Sequence, residues 1–168
     1  MISRKIKQCE GIVKMKKMML LLAVFAGISM LSAAELSADG WIKSQMQGKF
    51  VFTNPGKYPI SMKCDEPSAG KAVKAVGIWG RYLRHEKVET GKSYEVKVTY
   101  KFTGDDKAQF VFWLRGATVD GISRPKSAEP RTFVRKFTAK SDKVTIYLNM
   151  LKGAGELEII SVELNKVD

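Results

Sequence analysis

Between Ser93 and Phe102 the sequence alternates strictly between apolar and polar side chains, and this pattern constrains the fold more than any other feature. The apolar positions are Tyr94, Val96, Val98, Tyr100 and Phe102. Successive side chains of a β-strand point to opposite faces, so the pattern predicts a long strand with one buried face. Such a face must be covered by a second layer of structure.

Shorter segments of the same kind recur along the chain, with turn residues such as Asn54-Pro55-Gly56 between them. About eight short strands spaced in this way predict an all-β chain folded as an antiparallel β-sandwich. Gln109–Arg115 is apolar on both faces and is predicted to be a central strand. The Gly- and Pro-containing stretch 116–130 is predicted to be a long loop, and Ile159-Ile160 a bulge in the closing strand.

The N-terminal segment has the features of a secretory signal peptide. Lys16 and Lys17 precede an apolar run, and Ser32-Ala33-Ala34 places small side chains at a cleavage site. We therefore expect a signal peptide at 1–34, with Met15 as an alternative start, and a single domain at 35–168. The expected location is periplasmic or extracellular, with no stable membrane insertion after cleavage. The alternative is an uncleaved N-terminal anchor.

The chain is basic, with a formal net charge of +12, part of which lies before Glu35. This charge favours anionic partners such as acidic polysaccharides, although solubility alone is the simpler explanation. No long basic run is present, and we expect no nucleic-acid partner and a monomer. Cys64 would have no partner after cleavage and is predicted to be a small buried apolar residue.

Four segments resemble the CenC-type carbohydrate-binding modules, which are jelly rolls of the galactose-binding-like superfamily. They are Asp39-Gly40-Trp41, Val88–Val98, Arg131–Thr138 and Gly153–Leu164. The resemblance implies a jelly-roll β-sandwich and a carbohydrate ligand. It covers nearly the whole chain after residue 34, but it rests on scaffold features that specify a fold better than a ligand.

The sequence differs from the family at one position that concerns a metal ion. Family members often hold a structural calcium with an Asp in the closing strand, where this chain has Ile160 and Ser161. Calcium needs several oxygen ligands, and the sequence offers no replacement cluster there. We therefore expect no cofactor and no metal.

Sugar-binding sites in such sandwiches combine aromatic rings, which pack on the apolar face of a sugar, with polar groups that bind its hydroxyls. Arginine can also bind a carboxylate or sulfate through two hydrogen bonds, which would suit an acidic sugar. The candidate ligand-binding residues are Trp79, Arg81, Tyr82, Arg84, Trp113, Arg115 and Tyr147, with Gln109 and Asn149 as polar partners.

Each candidate also has a structural interpretation. Core packing is favoured for Trp113, because its strand is apolar on both faces. Tyr147 could face either way, Trp41 is expected in the core, and His85 is expected to be a solvated strand residue.

No catalytic arrangement is evident in the sequence. Glycoside hydrolysis needs two carboxylates placed across the scissile bond, and the acids lie mainly in turns or on exposed strand faces. There is one His, and no Gly-x-Ser-x-Gly motif.

We therefore expect a non-catalytic module that binds an oligo- or polysaccharide. The alternatives are a structural or adhesion sandwich that binds a protein or cell-surface partner, and a small glycan hydrolase. The carbohydrate-binding module and the structural or adhesion sandwich can be distinguished by the placement of three side chains. A sugar-binding site requires Trp79, Tyr82 and Tyr147 to lie together on one exposed surface.

Overall fold

The computed structural model describes residues 34–46, 48–66, 79–118 and 121–167. Within these ranges the chain is built almost entirely of β-strands, with one short 3-10 turn at Ala38–Gly40. The predicted signal peptide lies outside the described residues except for Ala34. No helix in the described ranges is long and apolar enough to cross a membrane.

The strands form two antiparallel sheets, which we call the front sheet and the back sheet. The front sheet has the order β2-β5-β10-β7-β8, and the back sheet has the order β3-β4-β11-β6-β9, with β1 paired to β11. The bounds are β1 Ala34–Glu35, β2 Ile42–Met46, β3 Lys49–Thr53, β4 Ile60–Glu66, β5 Trp79–Lys87, β6 Ser93–Gly104, β7 Gln109–Arg115, β8 Ile122–Arg124, β9 Ser127–Thr138, β10 Lys143–Leu151 and β11 Gly155–Val167.

The core lies between the two sheets and follows the alternation in the sequence. The five apolar residues of β6 are at most 7% exposed, and Val144, Ile146, Leu148 and Met150 of β10 are fully buried. The all-β jelly-roll sandwich predicted from the sequence is confirmed. The predicted bulge is confirmed as well, since the pairing of β11 with β6 shifts register between Ile159 and Ser161.

The predicted loop at 116–130 is partly wrong. It contains the short strand β8, which pairs with β7 through Phe110 and Arg124, and β9 begins at Ser127. Pro130 lies in β9, where the pairing with β6 shifts register between Tyr100 and Phe102. A proline is tolerated on an edge strand or at an irregularity because its missing N–H breaks no ladder hydrogen bond there.

Gly80 of the front sheet lets the back sheet approach closely. A Cβ atom built on Gly80 would collide with the ring of Phe50 in β3. Gly80 is buried and Phe50 packs against the core, so an added methyl group would have to displace this ring. The absence of a side chain at this position therefore allows the two sheets to pack together.

We expect Gly80→Ala to destabilise the protein by about 1–3 kcal/mol, because it overpacks the contact with Phe50. Urea unfolding of Gly80→Ala measures this cost. The matched control is the same substitution in a Phe50→Ala background, where the added methyl group has room and should cost less than half as much. An equal cost in both backgrounds would contradict the proposed contact.

Candidate functional site

The candidate site is built on β10, the central strand of the front sheet. The outward-facing residues of β10 are paired in register with outward-facing residues of β5 on one side and of β7 on the other. Tyr147, for example, lies between Leu83 and Trp113, and Asn149 lies between Arg81 and Val111. We call the surface formed in this way the outer face; it comprises Ile42, Ser44, Trp79, Arg81, Leu83, His85, Gln109, Val111, Trp113, Arg115, Ser123, Thr145, Tyr147, Asn149 and Leu151.

Arg81 lies in the middle of this face between two aromatic rings. Its guanidinium carbon is 3.6 Å from the centre of the Trp79 ring and 5.4 Å from that of Tyr147. Its Nε atom is buried and has no hydrogen-bond partner in the described part of the chain. Desolvation lowers the pKa of Arg81, and stacking on the rings holds the planar group in place.

Trp113 and Tyr147 form an aromatic pair beside Arg81. Their ring centres are 6.0 Å apart at an interplanar angle of 45°. Trp113 is 50% exposed, so the expectation that it packs in the core is wrong. Strand β7 places Phe110, Phe112 and Leu114 in the core. Trp113 lies between two of these residues, and because side chains alternate along a strand it faces outward although it is apolar.

One end of the outer face is basic. His85, Arg115, Lys143, Thr145 and Tyr147 line a depression of ≈ 370 Å³, together with Gly116 and Ser141. The Nδ1 atom of His85 is 2.9 Å from the hydroxyl oxygen of Thr145. This arrangement places three groups that can carry positive charge around one opening.

The outer face carries cationic residues but no acidic ones among the described residues. The opposite surface of the sandwich differs, because the back sheet pairs its charges. Lys97 and Glu163 are 2.9 Å apart, and Lys101 and Glu158 are 3.1 Å apart. The outer face of the front sheet therefore combines cationic residues with aromatic rings, whereas the outward-facing lysines of the central back-sheet strand β6 are paired with glutamates.

Two of the predicted site residues do not belong to the outer face. Tyr82 is fully buried, and its hydroxyl lies within hydrogen-bonding distance of the carbonyl oxygens of Thr53 (2.9 Å) and Ser61 (2.8 Å). The Arg84 side chain is only 14% exposed; it pairs with Glu86 and donates to the carbonyl oxygen of Ser37. Both predictions are corrected, because alternate residues of β5 face opposite sides of the sheet.

The structure brings the other candidates together: Trp79, Arg81, Gln109, Trp113, Arg115, Tyr147 and Asn149 all lie on the outer face. Asn149 is buried at 4% exposure, however, and donates from Nδ2 to the carbonyl oxygen of Val111 (3.1 Å), so it supports the face from within the sheet. Sequence reasoning missed Leu83, Val111 and Thr145 on the same face. Alternation would have identified Leu83 once β5 was recognised as a strand, and Thr145 from its place between Val144 and Ile146, whereas Val111 lies in a strand that is apolar on both faces.

Two smaller predictions are confirmed. Trp41 is 5% exposed, and its Nε1 donates to the hydroxyl of Tyr58 at 2.8 Å, while Cys64 is fully buried in the core. Burial raises the pKa of Tyr58 to about 12. No group of three His, Cys, Asp or Glu side chains suited to a metal ion occurs in the parts of the chain that the structure describes.

Comparisons with known proteins identify the fold. No family model and no curated protein matches the sequence. Among solved structures, the N-terminal cellulose-binding domain of Cellulomonas fimi β-1,4-glucanase C has a TM-score of 0.52 at 18% identity, covering 77% of this chain and 90% of that one. The CBM22-1 xylan-binding domain of Paenibacillus barcinonensis Xyn10C has a TM-score of 0.52 at 12% identity, with coverages of 83% and 99%.

A third match, TmCBM61 in complex with β-1,4-galactotriose, has a TM-score of 0.51 at 13% identity and covers 76% of this chain and 88% of that one. The enzymatically active domain of tailspike protein 4 from bacteriophage CBA120 also matches, with a TM-score of 0.54 at 12% identity over 77% of this chain, which spans 20% of the tailspike chain. The chain therefore has the jelly-roll fold found in carbohydrate-binding modules, and the resemblance noted in the sequence is confirmed at the level of the fold.

We expect Trp113→Ala to change the free energy of unfolding by no more than about 1 kcal/mol, because the side chain is half exposed. Tyr82→Ala should instead cost about 3–5 kcal/mol, because it removes a fully buried ring. Urea unfolding of the two variants measures both values. A loss of several kcal/mol for Trp113→Ala would show that this ring packs in the core after all.

Proposed function

We propose that this chain is an exported, non-catalytic module that binds an acidic oligo- or polysaccharide on the outer face of the front sheet. The observation that carries the proposal is the position of Arg81, which lies between Trp79 and Tyr147 with its buried Nε atom unbonded by any described residue. Rings and a fixed guanidinium in one place match a ligand that has both an apolar face and a negative group.

The exposed rings supply the part of the site that a sugar needs. Trp113 and Tyr147 present ring surface beside one another, whereas one face of the Trp79 ring, at the Leu151 end, is covered by Arg81. The C–H face of a pyranose packs on such rings, while its hydroxyls need hydrogen-bond partners. Gln109 and Ser44 lie on the same face and can provide them.

The charges indicate an acidic sugar. Arg81 lies opposite Asn149, and Arg115 lies opposite Thr145. At about 3.4 Å per residue, the two positions are about 14 Å apart along the strands. A ligand with carboxylate or sulfate groups on more than one sugar unit can engage both arginines, and each can form the two-bond pairing that guanidinium makes with oxyanions.

The structural neighbours support a glycan as the ligand. Three of the matched domains are described by their binding to cellulose, to xylan or to β-1,4-galactotriose. They share the jelly-roll fold with this chain, and its outer face has the chemistry that such ligands require. Export is supported by the signal-peptide pattern in the sequence.

The composition of the outer face also supports a binding role without catalysis. Glycoside hydrolysis requires two carboxyl groups that flank the bond. No described residue of the outer face is Asp or Glu. A ligand seated on Arg81 and Trp113 would therefore meet no acid–base pair on that surface.

A glycan array containing neutral and acidic members tests the proposal, with protein applied at low and at physiological salt. We expect selective retention of acidic glycans, with weaker binding at the higher salt because screening reduces the charge interaction. Binding to neutral glycans alone would contradict the acidic ligand. Failure to bind any glycan would contradict the proposed function and favour a protein or cell-surface partner.

Calorimetric titration with a glycan retained on the array then tests the residues. We expect Arg81→Gln to weaken binding about 10- to 100-fold, because a hydrogen bond to a charged group contributes about 1.5–3 kcal/mol. Arg81→Lys should recover only part of this, since lysine keeps the charge but loses the planar fork. Lys101→Gln on the back sheet is the matched control, and this variant should bind the glycan within about twofold of the wild type. Equal losses of affinity for Arg81→Gln and Lys101→Gln would show that only the net charge of the protein matters.

A further inference from the structure

A second cationic site lies on the side of the sandwich, away from the outer face. Strand β8 is at the edge of the front sheet and β9 is at the edge of the back sheet. Between them is a depression of ≈ 480 Å³, which we call the edge cleft. It is lined by Tyr100, Arg124, Pro125, Pro130, Arg131, Thr132 and Phe133.

Arg124 and Arg131 line the edge cleft, and the charge of a third arginine, Arg135, acts on Arg124. Arg124 pairs with Phe110, Arg131 with Tyr100 and Arg135 with Val96, and each of these partners is buried in the core. The arginines therefore occupy core-facing positions of the edge strands β8 and β9. A strand interior would have apolar residues at these positions.

Arg124 lines the cleft and forms no ion pair with another described residue. Its guanidinium carbon is 4.4 Å from the centre of the Phe133 ring, and its Nε atom is buried with no hydrogen-bond partner in the described part of the chain. Burial lowers the pKa of Arg124, and the charge of Arg135 adds to this effect. The neighbouring guanidinium groups thus repel one another in partly desolvated surroundings.

No acidic residue lines the edge cleft among the described residues. Glu129 lies two residues before Arg131, and no ion pair links it to Arg124, Arg131 or Arg135 in the described ranges. The Tyr100 hydroxyl donates to the carbonyl oxygen of Pro125 at 3.1 Å and so fixes the segment that joins β8 to β9. The cluster is thus held in place with its charge unbalanced.

We propose that the edge cleft binds an oxyanion, a carboxylate or sulfate carried by an acidic glycan. Arginine pairs with both groups through two parallel hydrogen bonds. The cleft differs in kind from the outer face, because Phe133 is 8% exposed and Arg124 covers its ring. No sugar can stack there, and the cleft therefore recognises the charged substituent alone.

This site is independent of the outer face, and the two can be tested separately in the full chain. The probes are inorganic sulfate and a chemically defined sulfated tetrasaccharide, each titrated while the backbone amide signals are followed by NMR. We expect saturable shifts at Arg124, Arg131 and Phe133 with both probes, and tighter binding of the tetrasaccharide. Saturation by inorganic sulfate but not by the tetrasaccharide would overturn the glycan as the source of the oxyanion.

The decisive variant is Arg131→Gln/Arg135→Gln, because both side chains are exposed and their loss should leave the fold intact. We expect it to weaken tetrasaccharide binding at the cleft at least about tenfold. Lys136→Gln is the matched control, since Lys136 is adjacent in β9 but lies on the other side of the strand, near Glu95. Equal losses in the two variants, or no saturable shifts at the cleft, would overturn the proposal.

Arg81→Gln separates this proposal from the function proposed above. It should leave the cleft shifts unchanged, because Arg81 lies on the outer face and does not line the edge cleft. Shifts confined to the outer face would overturn the edge cleft and leave glycan binding by the front sheet standing.

Discussion

The structure depends above all on the two-sided character of β10. This strand lies between β5 and β7, and it fills the core with Val144, Ile146, Leu148 and Met150 on one side. Its other side carries Tyr147 and Asn149 to the outer face. Because side chains alternate along a strand, a slip of one residue in its pairing would exchange the two sets, burying polar groups and exposing the core. The same register thus determines both stability and the composition of the candidate site.

Charge is distributed unevenly over this scaffold. The back sheet pairs lysines with glutamates across its strands, for example Lys97 with Glu163. Arg81 and Arg124 share a different arrangement, in which a guanidinium packs on an aromatic ring and its Nε is buried without a partner. A cation held by a ring keeps its position but is not neutralised, and both positions are therefore suited to an anion from outside the chain.

The fold could be predicted from the sequence wherever one face of a strand is apolar and the other polar. The strand at Ser93–Phe102 met this condition and was predicted correctly. The bulge at Ile159-Ile160 was predicted correctly because the apolar positions change face there. The orientation of Trp113 could not be predicted, because β7 is apolar on both faces and its inward side depends on pairing with β10. Tyr82 and Arg84 were grouped with Trp79 because they are close in sequence, whereas the strand sends alternate residues to opposite sides. The edge cleft was not foreseen, since it requires that β8 and β9 border the same opening of the sandwich.

The most direct test of the central claim is a backbone amide shift map of the protein saturated with an acidic oligosaccharide. The account predicts that the largest shifts fall on β5, β7 and β10 around Arg81, Trp113 and Tyr147, with little change at Lys97 and Lys101 of the back sheet. Large shifts confined to the back sheet, or to the turns at the ends of the sandwich, would contradict the claim that the outer face of the front sheet is the binding surface.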